Sequence, residues 1–132
     1  MNENAFSHYG NELDKFIDAI NKCIALTSEL EHKLDEIISY NTIVGIAARV
    51  EVQQLLLDRP MNKLQIYKDE AERLKRMISE ENLITEEAVL TGEIADRIDV
   101  LTVQVAQSLR DFEMVKTECE NFIKEMLSHR KK

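Results

Sequence analysis

From Ile94 to Met126 the chain places apolar residues at alternating spacings of three and four. The series is Ile94, Ile98, Leu101, Val105, Ser108, Phe112, Val115, Cys119, Phe122 and Met126, and only Ser108 departs from apolar character. A seven-residue repeat of this kind lets a helix bury one narrow face along another helix. It predicts a helix over about 85–128, roughly 65 Å long at 1.5 Å per residue. Thr85 is placed to cap its start, with Glu86 and Glu87 in the first turn where the helix dipole favours acids. Ile84 and Val89 occupy the two positions of a hydrophobic staple.

A second stripe runs through Leu13, Phe16, Ile17, Ile20, Cys23, Ile24, Leu30, Leu34, Ile37 and Ile38. Its three- and four-residue intervals predict an amphipathic helix from about 11 to 57. Thr27 and Asn41 interrupt the stripe at partner-facing positions, where a polar group lowers stability and can fix register. The weak point is Tyr40-Asn-Thr-Ile-Val-Gly45, where β-branched residues and glycine are poor helix formers and a kink or short break is expected. Beyond it the stripe resumes through Ala48, Val52 and Leu55 to Leu57, and Asp58-Arg59-Pro60 is expected to end the helix. The same proline suits the first turn of a short second helix over about 61–79, with Leu64, Tyr67, Ala71, Leu74 and Ile78 on one face. Ser79 to Ile84 holds neither proline nor glycine, so helices two and three can also be read as one bent rod. The fold class expected is all-α: an elongated helical bundle or antiparallel coiled coil, long–short–long, in one domain over 1–132, with 1–10 and 129–132 frayed.

Composition agrees with this picture. With 44% hydrophobic residues the chain can bury a core, and one Pro, three Gly and no Trp leave little punctuation between long helices. Net charge is −8, which argues against nucleic acid or an anionic membrane surface as partner. Residues 1–40 carry eight acids against three bases and residues 80–127 twelve against four, whereas residues 41–79 carry five acids and seven bases. A mildly basic middle segment lying against two acidic ones accounts for this distribution. The N-terminus has neither a basic start nor an apolar run, so no Sec-type signal is read, and no stretch reaches about 18 apolar residues. A cytoplasmic protein is expected. Cys23 and Cys119 fall on apolar stripes and read as buried, reduced thiols. Met77, Met114 and Met126 occur at helical spacing and read as core filler.

Candidate chemistry is sparse. Glu29-Leu-Glu-His32 holds one Glu-x-x-His, a motif that carboxylate-bridged di-iron bundles use twice, and the second copy is missing. His32-Lys-Leu34 resembles the acceptor segment of histidine phosphotransfer bundles only in its His-x-Leu portion, since Asp35 and Glu36 follow where that family has Lys and a small Gly. A solvated helix face is the reading taken for His32. There is no phosphate-cradling glycine loop, no Cys-x-x-Cys and no Gly-x-Ser-x-Gly. The plan is similar to that of WXG-type secretion partners, but their Trp-x-Gly turn is absent.

A non-enzymatic protein–protein interaction module is therefore expected: an oligomeric adaptor, small chaperone or secretion partner, with neither metal nor cofactor. The alternative is an acidic nucleic-acid mimic or a His-containing bundle. Helix lengths carry the expectation of self-association. Helix one would span about 70 Å and helix three about 65 Å, against about 28 Å for helix two. Helix three would then overshoot, leaving part of its stripe without cover inside the chain. A second copy would cover it as a homodimer or higher oligomer, through Leu101, Val105, Phe112, Val115, Cys119, Phe122 and Met126.

Overall fold

The computed structural model describes residues 2–40, 43–84 and 90–130, with side chains described within 8–40, 43–79 and 92–128. Three helices account for nearly all of them: α1 (Asn2–Tyr40), α2 (Ile46–Ile84) and α3 (Ala95–Arg130), the last entered through a π-helical turn at Leu90–Ile94. Each helix packs on both others, so the chain forms an all-α bundle around one core. The helices hold 39, 39 and 36 residues. At 1.5 Å per residue each is about 55 Å long, which makes the bundle a short rod.

The class is as expected, but the breaks lie elsewhere. The weak point at Tyr40–Gly45 is a true break, and α2 runs straight through Pro60. An internal proline removes one helical hydrogen bond and costs about 3 kcal/mol. Packing on both sides of it outweighs that cost. Val50, Leu57, Leu64, Ala71 and Ile78, at strict seven-residue spacing, all lie in the core, and Pro60 itself is buried. The middle helix is consequently as long as its neighbours. The polar lead-in expected to fray is helical from Asn2, and Tyr9 packs on the core. At the other end the helix continues to Arg130. The Thr85 cap and the Ile84–Val89 staple fall outside the described residues.

Long-range contacts fix the helix directions. Lys75 Nζ lies 2.5 Å from Asp14 Oδ1, and Gln54 Nε2 donates to Asp35 Oδ1 at 3.3 Å, so α2 descends along α1. Arg97 reaches Glu70 at 4.0 Å and Arg49 reaches Glu125 at 3.9 Å, so α3 climbs back along α2. The two cannot be one rod.

The turn into α2 depends on glycine. Gly45 has φ +84°, and its carbonyl accepts from the Arg49 N–H at 3.2 Å, the first bond of the helix. A Cβ built there would meet nothing within 4 Å, so a side chain costs conformational strain and makes no clash. Gly45→Ala should lower stability by about 1–2 kcal/mol, read from the urea midpoint. An unchanged midpoint would mean that the turn relaxes into another conformation.

The core follows the heptad positions. On α1 the buried series is Leu13, Ile20, Thr27 and Leu34, flanked by Cys23, Leu30 and Ile37. Thr27 interrupts the stripe as expected, and its Oγ1 is buried without a hydrogen-bond partner. An unpaired buried hydroxyl costs about 1–3 kcal/mol. Thr27→Val keeps the shape and removes the hydroxyl, so it should raise stability by about 1 kcal/mol. A midpoint that falls instead would show that the hydroxyl is solvated or paired in solution.

Candidate functional site

Six of the seven residues expected to form an interaction face lie in the core of the same chain. Leu101, Val105, Phe112, Cys119, Phe122 and Met126 are buried against α1 and α2 of the same chain. Val115 is half-buried beside them. Equal helix lengths remove the overhang, so the stripe is covered inside one chain except at half-buried Val115. Phe122 is further shielded by the Arg49 guanidinium, 5.3 Å from its ring centroid. The helix-length argument for self-association therefore loses its premise.

The other candidate residues can be placed as directly. His32 and Glu29 lie on an exposed face of α1. Among the described residues no group of His, Cys, Asp or Glu is arranged to hold a metal ion. Both cysteines are buried and unpaired. Burial and the neighbouring carboxylates of Glu120 and Glu118 push the Cys119 thiol up to about 11. Burial and Glu113 raise Cys23 as well, partly offset by Lys116. A thiol held so far above neutral pH is a poor nucleophile. Met126 is core and Met77 half-buried, but Met114 is 73% exposed and is not core filler.

Met114 leads to a surface that the seam conceals. On the outer side of the α2/α3 contact stand four large apolar residues: Val52 and Ile66 from α2, Val100 and Met114 from α3. All are more than half exposed. Within each helix the two are fourteen residues apart, two full heptads, so they share one face and stand about 21 Å from each other. Because the helices are antiparallel, Ile66 lies level with Val100, and Val52 within about a turn of Met114. Two depressions mark the groove at these levels. One, of about 400 Å³, is lined by Ile66, Tyr67, Glu70, Asp96, Arg97, Val100, Leu101 and Gln104. The other, of about 340 Å³, is lined by Leu56, Arg59, Pro60, Lys63, Asp111, Met114 and Val115.

Comparison with protein-family models, known proteins and solved structures finds no match for this chain. The groove must be read from its own chemistry.

That chemistry is mixed. In the first depression Glu70 is engaged by Arg73 at 2.6 Å and by Arg97 at 4.0 Å. In the second, Arg59 and Lys63 have no carboxylate within 4 Å among the described residues, and Asp111 accepts only from Gln107 Nε2, at 3.1 Å. Each depression thus sets apolar side chains beside charged ones. It offers no nucleophile beside a base. The row left one signal in the sequence: 52 to 66 and 100 to 114 are equal two-heptad steps lying off the seam. Among the described residues no helix is long and apolar enough to cross a membrane.

Proposed function

We propose that this protein is a non-enzymatic protein–protein interaction module, of the adaptor, small chaperone or secretion-partner kind, and that its docking face is the outer α2/α3 groove. One observation carries the reading: large, mostly exposed apolar side chains along that groove, Ile66 and Val100 in one depression and Met114 in the other, with Val52 on the same α2 row. A solvent-facing helix row is normally polar, and contiguous apolar surface on a protein marks a contact site. The two-heptad step matches the spacing at which a partner helix would present its own apolar residues. The mixed charge of the groove does not favour a nucleic-acid mimic, which would need a run of carboxylates. Two buried free thiols suit a reducing compartment, and the cytoplasm is the one we propose.

The test is affinity capture with the wild type and with an Ile66→Glu/Met114→Glu variant. Both residues are exposed, so the variant should keep its helicity and melting profile. The wild type should retain a protein in stoichiometric amount, this chain included, that the variant loses. Equal retention by both, or by neither, would overturn the assignment of this face.

A further inference from the structure

We infer that the occupant of the outer groove is a second copy of this chain, paired about a two-fold axis that runs parallel to the helices. The inference rests on the reading of the groove as a docking face and names its partner. In such a pair α2 of each chain lies against α3 of the other, and the residues that meet are those already level within one chain. Those levels are set by the Glu70–Arg97 contact, by the shared depression at Ile66 and Val100, and by the one at Leu56, Arg59, Asp111 and Met114. To within about a turn, the outer rows then match step by step.

Ile66 of one copy meets Val100 of the other, and Met114 meets the level of Leu56, a turn from Val52, so apolar side chains cover apolar side chains at both ends. Beside Met114, Arg59 comes level with Asp111, a carboxylate that makes no ion pair among the described residues. At the next heptad Arg73, which also pairs with Glu70 of its own chain, meets Glu93, opposite charges on exposed side chains. None of these pairings sets like charges together. The alternative two-fold, running across the helices, would set Arg59 against Arg59 and is disfavoured for that reason. In the parallel-axis pair α2 and the α3 that it meets run antiparallel, which also suits the helix dipoles.

The size is adequate. The levels from Val52 to Arg73 span about 32 Å of helix, and two helices side by side are about 20 Å wide, giving a projected face of roughly 640 Å². A standard interface takes about 800 Å² from each partner. The face is therefore large enough for a reversible dimer and too small and polar for an obligate one.

Two measurements on the full chain decide the matter. Light scattering coupled to gel filtration at tens of micromolar should give twice the 15.3 kDa chain mass, and the Ile66→Glu/Met114→Glu variant should give the single-chain mass with unchanged helicity. Ile66→Cys and Val100→Cys chains, mixed and mildly oxidised, should form a cross-linked pair that neither variant forms alone. Arg73→Glu should weaken pairing by about tenfold, and adding Glu93→Arg should restore it. A wild type that stays at single-chain mass at these concentrations overturns the inference. So does a dimer that the double glutamate variant leaves intact, or cross-linking as efficient in either single variant as in the mixture. A monomer that still captures a groove-dependent partner would sink only the second copy and leave the docking face standing.

Discussion

Leu57→Asp should unfold the protein, while Leu55→Asp, two residues away on the same helix, should change stability by no more than about 0.5 kcal/mol. Leu57 is fully buried in the α2 seam and Leu55 is 59% exposed. A carboxylate at Leu57 would have to ionise in an apolar layer or stay protonated there, and the lost side chain adds to that cost. The sum exceeds about 4 kcal/mol, against the 5–15 kcal/mol that holds a domain of this size together. Circular dichroism through a urea titration reads both variants. Equal losses would mean that α2 packs in a different phase.

This pair of residues also shows where sequence reading succeeds and where it runs out. The α1 seam runs through 13, 20, 27 and 34, and continuing it by sevens reaches 48 and 55. Both are apolar, so the stripe reads as continuous. The break between Tyr40 and Ile46 resets the phase, and the α2 core uses Ile46, Val50 and Leu57 instead. Ala48, Val52 and Leu55 are left outside. Periodicity reports which residues share a face within one helix; across a break it carries no phase. The same blindness promoted Pro60 to a stop. Local preference favoured one there, and only the agreement of Val50, Leu57, Leu64, Ala71 and Ile78 on either side reveals that packing overrides it. By contrast the α3 seam was legible throughout, because Ile98 to Met126 lies in one uninterrupted helix. The outer row was hidden by its own sparseness. Val52, Ile66, Val100 and Met114 become a row only once the seam of each helix is known.

Phe112→Ala should cost about 3–5 kcal/mol and leave the molecular mass of the folded protein unchanged. Phe112 is the largest fully buried side chain, set midway along the α3 seam. Removing the ring leaves a cavity that neighbours on straight helices can fill only in part. The sequence alone marks the same residue as a contact between chains, and the two roles differ in outcome. A contact residue would change the mass with little loss of stability; a core residue lowers the urea midpoint at every protein concentration. A variant of near-normal midpoint and halved mass would return Phe112 to an interface.

The buried thiols make the protein a gauge of its own breathing. Cys23 sits on α1 and Cys119 on α3, both closed to solvent, and the high Cys119 value leaves only about one molecule in a thousand as thiolate at pH 8. A thiol reagent can therefore react at an appreciable rate only when a helix lifts away. Labelling each site in turn, with the other replaced by alanine, would show whether α1 and α3 detach together or one at a time. No foreign probe need be introduced to measure it.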